Sequence, residues 1–259
     1  ETSVEEVLNI IGQFTPIDLI FLQEVKRDRS EINPIQMRTK SQYNKPISTI
    51  YEGLFKKYFL NYEYKMVCAY GQEEKDTSLD SRLYSNELCQ ISLVEKRNNI
   101  LETSTIDLND YWNGLTGAFE KKYRYIRLVL GIKIEKNGRE IWWWNLHFPH
   151  SHIKKLTTEL IRRISNDYGN SNHVILGDFN KDPEFAIPSG WSFHYTENLA
   201  THSKYSIDCG NTPYIEGSAS IYDYMLTNIT DADIKIQHAG KNTSERSDHC
   251  PLKITLDFS

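Results

Sequence analysis

The sequence is poor in cysteine, contains no long apolar run and carries no excess of positive charge. Its four cysteines lie at Cys68, Cys89, Cys209 and Cys250. None forms a Cys-x-x-Cys pair, which disfavours a structural zinc site, and four in 259 residues are too few for a disulfide scaffold. They allow two disulfides, whose pairing the sequence does not decide. No stretch of about 18 apolar residues occurs, so we expect no membrane-spanning helix.

The charge balance is slightly acidic, with 30 Lys and Arg against 35 Asp and Glu and a net charge of -5. This disfavours a strongly basic protein that binds nucleic acid passively. It does not exclude a nuclease, because a local basic rim and a bound cation can offset an acidic total. The segment from Glu1 to Glu6 is acidic and unlike a signal peptide, although a mature secreted form would look the same. We therefore expect a soluble protein and leave its compartment open, secretion included.

The apolar pattern indicates helices mixed with strands. Helical spacing occurs in residues 3–12, 47–58 and 151–164, and strands are expected at 17–22, 126–134, 140–147, 173–176, 221–226, 234–237 and 252–258. Ile126 to Ile134 alternates strictly, as a half-buried strand does, and Asn137-Gly138 then predicts a hairpin turn. Without repeats or an evident linker, one domain over residues 1–259 is the simplest prediction. The fold class expected is α/β, with helices covering two packed, mostly antiparallel sheets.

Short polar groups stand where several of these apolar strands end, begin or turn. They are Glu24, Asn145 with His147, Asp178 with Asn180, Asp223, and Asp248 with His249. Singly each is weak: a Glu after a strand is usually a solvated cap, a lone His is usually structural, and Gly-Asp-Phe-Asn could be an Asx turn. Together they are the parts of a hydrolytic site. Carboxylates such as Glu24 and Asp248 suit Mg²⁺, Mn²⁺ or Ca²⁺, and histidines suit proton transfer near neutral pH.

The series of motifs resembles the endonuclease/exonuclease/phosphatase superfamily. It consists of Leu-Gln-Glu24, Asn145-Leu-His147, Gly-Asp178-Phe-Asn180, Tyr-Asp223-Tyr and Ser-Asp248-His249-Cys-Pro, in the family's order over residues 18 to 256. The resemblance implies a four-layer α/β sandwich of the DNase I type. It also implies a metal-dependent phosphodiesterase with Mg²⁺, or Mn²⁺ or Ca²⁺, as its cofactor.

The resemblance also implies roles for individual residues. Glu24 is expected to bind the metal, with Asp248 as a second or nearby ligand. Asp178 is expected to orient or deprotonate the attacking water, and Asn180 to hold that water or a phosphate oxygen.

The other implied roles concern the histidines and the phosphate. His249 is expected to pair with Asp223, which fixes its tautomer, and His147 to contact the scissile phosphate and protonate the leaving oxygen. Asn145 is a candidate phosphate contact. Arg124 is another, although a solvated charge at the start of a strand explains it equally well.

One departure from the family concerns the start of the domain. Family members normally begin with a strand that ends in an Asn contacting metal or phosphate, just before the first helix. This chain starts inside that helix. We therefore expect a single catalytic domain without the usual first strand in this sequence, and whether that strand is trimmed, supplied by another chain or lost stays open.

Three functions remain as alternatives. A DNase I-like or toxin-type nuclease is favoured by the small size, by His147, and by Lys26, Arg27 and Arg29, which could meet a phosphate backbone. A sphingomyelinase or phosphoinositide phosphatase would act on a lipid or inositol phosphate headgroup. The tryptophans from Trp142 to Trp144 could form a membrane-facing surface for it, although alternate tryptophans on a strand more often enter the core. The third alternative is a catalytically inactive relative that binds a partner.

Overall fold

The computed structural model describes residues 8–14, 16–26, 49–69, 88–116, 128–169, 171–203, 213–214, 219–238 and 249–258. Two predicted site residues, Arg124 and Asp248, lie outside these ranges, as do the possible phosphate contacts Arg27 and Arg29. Glu24 is placed on its strand, and Asn145, His147, Asp178, Asn180, Asp223 and His249 are all described.

The described elements follow the predicted order. Residues 8–12 are helical, and the named helices are α1 (Thr49–Tyr58), α2 (Asn109–Thr116) and α3 (Ile153–Tyr168). The strands are β1 (Leu19–Lys26), β2 (Tyr62–Ala69), β3 (Leu88–Glu95), β4 (Ile100–Asp107), β5 (Leu128–Lys136), β6 (Arg139–His147), β7 (Asn172–Asp178), β8 (Ser192–His194), β9 (His202–Ser203), β10 (Ala219–Ser220), β11 (Asp223–Thr227), β12 (Ala232–His238) and β13 (Leu252–Phe258).

A six-stranded sheet in the order β4-β5-β6-β7-β11-β8 forms the centre of the fold. β5 and β6 are joined by the predicted turn, in which Asn137 and Gly138 both have positive φ, 52° and 74°. β6 and β7 pair in parallel, while the other neighbours are antiparallel. A parallel pair needs a long crossover connection, and α3 provides it.

Smaller sheets cover one face of the six-stranded sheet. The sheet β1-β3-β2 contacts β5, β6 and β7, and the hairpin β12-β13 packs its apolar side chains on Ile141, Val174 and Met225. Trp143 lies against both groups. These contacts form the interface between the two β-layers.

Helices cover the outer faces of both β-layers. α3 packs on the far side of the six-stranded sheet, against Trp142, Trp144 and Leu146. Residues 8–12 and α1 pack on the sheet β1-β3-β2 through Leu8, Phe55 and other apolar side chains. The layers therefore run helix, sheet, sheet, helix, which confirms the predicted four-layer α/β sandwich.

The first half of β5 corrects one expectation. Leu128, Val129, Leu130 and Ile132 are all nearly inaccessible to solvent, so the strand is not half-buried there. Its apolar residues on both faces have a cover, because α2 and α3 lie on one side and the sheet β1-β3-β2 on the other. Exposure of alternate residues begins only towards the end of the strand, at Lys133.

The tryptophan run enters the core. Trp142 and Trp144 are 2% and 0% exposed, and their rings stack 5.0 Å apart beneath α3. The membrane-facing surface considered from the sequence therefore does not exist at these two residues. No helix among the described residues is both long and apolar enough to cross a membrane.

Candidate active site

Three of the predicted site residues lie in one row across adjacent strands. Because β6 and β7 run parallel, their carboxyl ends meet at the same edge of the sheet, and antiparallel β11 begins at that edge. His147 is opposite Asp178 in the strand register, and Asp178 is opposite Asp223. Paired residues project to the same face of a sheet. The sheet itself thus places one imidazole and two carboxylates side by side.

Gly177 allows β6 and β7 to approach closely just before this row. Its φ is 144°, and a Cβ built on it would lie 1.9 Å from the carbonyl oxygen of Leu146. No side chain fits in that space, so the position requires glycine. The first residue of the Gly-Asp-Phe-Asn motif therefore serves strand packing, and Asp178, the next residue, carries the first polar side chain of the motif.

His249 reaches the row from the residue stretch just before β13. Its Nδ1–H donates to Oδ2 of Asp223 at 2.7 Å. Its Nε2 lies 3.8 Å from Oδ2 of Asp178, and Nε2 of His147 lies 3.5 Å from the same oxygen. The structure thus brings together the two residues that were expected to pair, and it places Asp178 between two imidazoles.

Asp178 and Asn180 are held by a tight turn. The backbone N–H of Asn180 donates to Oδ1 of Asp178 at 2.7 Å, an Asx turn, and Asn180 has a positive φ of 53°. The side-chain amide of Asn180 donates to the carbonyl of Phe148 at 2.6 Å. This bond orients the amide group while Oδ2 of Asp178 faces the histidines. The Asx turn that the sequence allowed is therefore present, and the roles of Asp178 and Asn180 in hydrolysis stay a prediction.

β1 brings Glu24 towards the same edge. The register of β1 with β3 shifts between Leu22 and Val25, so Glu24 sits in an irregular stretch of the strand. Just before it, the Gln23 amide donates to Oδ1 of Asn145 at 2.8 Å, two residues before His147 on β6. The end of β1 is therefore anchored beside the end of β6.

Asn145 is fully buried and its amide joins the two β-layers. Its Nδ2 lies within hydrogen-bonding distance of the carbonyls of Leu22 and Ile91, at 3.4 and 3.1 Å, and of the Ser92 hydroxyl at 3.4 Å. With Gln23 on the oxygen, both ends of the amide have partners inside the protein. The phosphate contact suggested for Asn145 stays a prediction.

Sequence reasoning did not find several groups around the row. The ring of His202 lies 4.7 Å from that of His249 and stacks on Tyr222 at the same distance. Tyr224 lies under the row, stacked on Phe179 at 4.1 Å. Burial, together with the surrounding carboxylates of Asp178, Asp182 and Asp223, raises the pKa of the Tyr224 phenol far above its usual value, so it stays neutral.

His238, at the end of β12, adds a further imidazole near Asp223. Burial lowers its pKa, and the Asp223 carboxylate acts in the opposite direction. No sequence motif marks His238 or His202, because their relation to the site arises only when distant segments pack together.

Two carboxylates of the row, together with His249, form a group of donor atoms that could hold a divalent cation. Single ligand atoms of Asp178, Asp223 and His249 all lie within 4.8 Å of one another. Two carboxylates in such a group supply the hard oxygen donors that Mg²⁺, Mn²⁺ and Ca²⁺ prefer. The metal-binding role expected for Glu24 stays a prediction.

Comparison with known proteins shows the fold. No protein-family model and no curated protein sequence matches the chain. An endonuclease/exonuclease/phosphatase family protein from Leptotrichia buccalis C-1013-b matches 99% of this chain and 93% of its own, with a TM-score of 0.64 and 16% identity. TDP2 from C. elegans matches all of this chain and 70% of its own, with a TM-score of 0.62 and 15% identity. D. rerio TDP2, complexed with a single-strand DNA product, matches 98% and 91%, with a TM-score of 0.59 and 14% identity.

These likenesses define the class of the fold. The chain has the DNase I-like sandwich of endonuclease/exonuclease/phosphatase structures, matched over nearly its whole length. The fold expected from the motif series is therefore confirmed. Identities of 13% to 17% carry the likeness no further than the fold.

Proposed function

We propose that the protein is a divalent-metal-dependent phosphodiesterase, and specifically a DNase I-like endonuclease that hydrolyses nucleic-acid phosphodiester bonds. The observation that carries this proposal is the row at the sheet edge. In it His249 is bonded to Asp223 at 2.7 Å, and the carboxylate of Asp178 lies between the two imidazoles. A general base, a general acid and carboxylates at one edge are the groups that hydrolysis of a phosphodiester needs.

His249 and Asp178 form the water-activating side of the proposed site. Asp223 accepts the Nδ1–H of His249, which leaves the lone pair of Nε2 directed away from Asp223. A water molecule between this Nε2 and Oδ2 of Asp178, which are 3.8 Å apart, would bond to both. Asp178 would orient the water. The dyad, which is His249 with its partner Asp223, would take a proton from the water as the water attacks phosphorus.

His147 forms the leaving-group side. Its Nε2 lies 3.5 Å from Oδ2 of Asp178, and its side chain is 18% exposed, so a substrate can reach it. A protonated His147 beside this carboxylate would neutralise charge on the phosphoryl oxygens and donate a proton to the leaving oxygen. Asn180, with its amide fixed by the Phe148 carbonyl, would hold the water or a phosphate oxygen.

Mg²⁺ is the proposed cofactor, with Mn²⁺ or Ca²⁺ as alternatives. Glu24 and Asp248 would hold it, next to the carboxylates of Asp178 and Asp223. When bound, a divalent cation stabilises negative charge on the phosphoryl oxygens. Orientation of the water and the movement of both protons remain the work of the protein's own side chains.

Nucleic acid is the proposed substrate because exposed lysines adjoin the row in the sequence. Lys181 directly follows Asn180, and Lys154 and Lys155 begin α3 a few residues after His147; all three are exposed. A polyanion would gain from such a rim in spite of the net charge of -5. The single-strand DNA product in D. rerio TDP2 is a further support. A lipid or inositol phosphate substrate loses its sequence argument, because Trp142 and Trp144 are core residues.

A panel of substrates tests this choice. The purified protein with Mg²⁺ is given supercoiled plasmid, a single-stranded oligonucleotide, sphingomyelin vesicles and a soluble phosphoinositide, each with and without EDTA. EDTA-sensitive nicking of the plasmid, with no turnover of the lipid or the phosphoinositide, is the expected result. Turnover of a headgroup substrate without nicking would overturn the nuclease assignment. Hydrolysis of none of the four would favour the inactive binding relative.

A further inference from the structure

We infer that Thr201 is a positioning residue that holds Asp223 and His249 in register as a catalytic pair. This inference rests on the proposed function, because it assigns a role in the same site. Thr201 belongs to none of the motifs that identified the site, and it lies 22 residues before Asp223 and 48 before His249. It is fully buried, with 0% exposure.

The hydroxyl of Thr201 fixes the start of β11. Its oxygen accepts the backbone N–H of Tyr222 at 2.9 Å and that of Asp223 at 3.0 Å. The strand β11 pairs with β7 from Asp223 onward. Thr201 therefore holds the backbone at the point where the chain enters β11. The hydroxyl thus adds to the strand pairing in fixing the backbone from which the Asp223 side chain projects.

The backbone of Thr201 fixes the segment that carries His249. Its carbonyl accepts the N–H of Cys250 at 2.8 Å, and its own N–H donates to the carbonyl of Ser220 at 2.9 Å. The next residue, His202, forms a β-bridge with His249. Cys250 is itself disulfide-bonded and 3% exposed, so a covalent bond holds the chain one residue after His249.

Thr201 therefore contacts both backbone segments of the dyad, the one that carries Asp223 and the one that carries His249. Asp223 and His249 come from different segments, and the 2.7 Å bond between their side chains needs both backbones in fixed places. The hydroxyl controls one backbone and the carbonyl controls the other. The ring of His202, 4.7 Å from that of His249, adds packing on the imidazole face.

Substitution of the hydroxyl separates positioning from general stability. Thr201→Val keeps the side-chain shape but removes the acceptor for two buried N–H groups, whereas Thr201→Ser keeps the acceptor. Thr227→Val is the matched control. Thr227 is equally buried at the other end of the same strand, and its hydroxyl also accepts a backbone N–H, from Ile229 at 3.1 Å.

Kinetics with the substrate identified by the panel give the first readout. We expect Thr201→Val to lower kcat by about tenfold or more, with KM within about twofold, because a displaced dyad weakens proton transfer rather than binding. Thr201→Ser should keep most of the activity, and Thr227→Val should lose stability without loss of kcat. Equal kcat losses in Thr201→Val and Thr227→Val would overturn the inference.

A second readout needs no turnover. In the wild-type chain the Nδ1–H of His249 bonded to Asp223 should give a low-field imidazole proton signal by NMR, identified by its loss in Asp223→Asn. Thr201→Val should shift or broaden this signal, while Thr201→Ser and Thr227→Val should leave it in place. An unchanged signal in a folded Thr201→Val protein would contradict the inference. If the wild type hydrolyses nothing, the proposed function fails but this measurement still decides the role of Thr201.

Discussion

At the scale of single residues, the Asp223 carboxylate is the group whose substitution tests the proposed chemistry most directly. It accepts the Nδ1–H of His249 and so keeps Nε2 available as a base. Asp223→Asn keeps the shape and loses the charge. We expect its rate of phosphodiester hydrolysis to fall by about 10² to 10⁴, with little change in melting temperature.

Asp182→Asn is the matched control for that substitution. Asp182, like Asp223, lies near Tyr224. Its Oδ1 accepts the backbone N–H of Ile221 at 2.8 Å rather than a histidine N–H, and Asn can keep this contact. Its activity should stay within about threefold of wild type. Equal losses in the two variants would show that the effect of Asp223→Asn is not specific to the dyad.

A buried histidine makes the stability of the fold depend on pH. His173 is 1% exposed, accepts the indole N–H of Trp144 at its Nδ1, and donates from Nε2 to the carbonyl of Gly169. Burial lowers its pKa from 6.5 to about 4. The unfolded chain therefore binds a proton more readily than the folded one between these values, and the stability contributed by neutral His173 is lost as the pH falls from about 6.5 to about 4.

Urea unfolding of His173→Gln against wild type tests this sign. Since each pKa unit corresponds to about 1.4 kcal/mol, wild type should lose up to about 3 kcal/mol relative to the variant between pH 7 and pH 4. The difference in unfolding free energy between the two proteins is the quantity to plot against pH. A difference that stays constant over this range would refute the neutral, buried His173.

At the scale of elements, Asn145 is the junction between the two β-layers beside the site. Its amide contacts Leu22, Gln23, Ile91 and Ser92 on β1 and β3. Asn145→Leu would remove the hydrogen bonds that the amide makes with these groups. We expect a loss of about 3 kcal/mol in the free energy of unfolding and lower activity, because the end of β1 that carries Glu24 loses its anchor.

Gln23→Ala is the control for the junction. It removes only the bond from the Gln23 amide to Oδ1 of Asn145, so a loss of about 1 kcal/mol is expected. Denaturant unfolding gives both values. An Asn145→Leu protein as stable as wild type, with only a raised KM, would favour the phosphate contact over the structural role.

The strands that the sequence revealed and those it hid differ in their environment. β6 and β13 were predicted because apolar runs or alternation mark them. The turn predicted at Asn137 and Gly138 also identified β5 as the hairpin partner of β6. β4 was not identified, because it is an edge strand with polar, largely exposed residues. β3 was not identified either, because its residues from Ile91 to Val94 are all buried and the strand therefore shows no alternation of buried and exposed residues.

The site was accessible to sequence reasoning only where a motif marks it. Asp178, Asp223 and His249 stand beside apolar strands in short recognisable motifs, and they do meet in the structure. Thr201 and Gln23 act through partners at least 19 residues away, and no local pattern encodes those contacts. Long-range hydrogen bonds of single polar residues become visible only in the folded chain.

At the scale of the whole molecule, the four layers place His147, Asp178, Asp223 and His249 together at one edge of the β-sandwich. The parallel pair β6-β7 and antiparallel β11 set the row from His147 to Asp223, and the stretch before β13 adds His249. The end of β1 approaches through the junction at Asn145. A packed sandwich holds such groups in fixed relative positions, as a catalytic site needs.

The central claim is that this edge hydrolyses phosphodiesters with a divalent metal. The most direct measurement is turnover of bis(p-nitrophenyl) phosphate in Mg²⁺, with and without EDTA, by wild type and by a His147→Ala/His249→Ala double variant of verified fold. We expect metal-dependent turnover that EDTA abolishes and that the double variant lacks. Turnover by the double variant at the wild-type rate, or no turnover by wild type with Mg²⁺, Mn²⁺ or Ca²⁺, would contradict it.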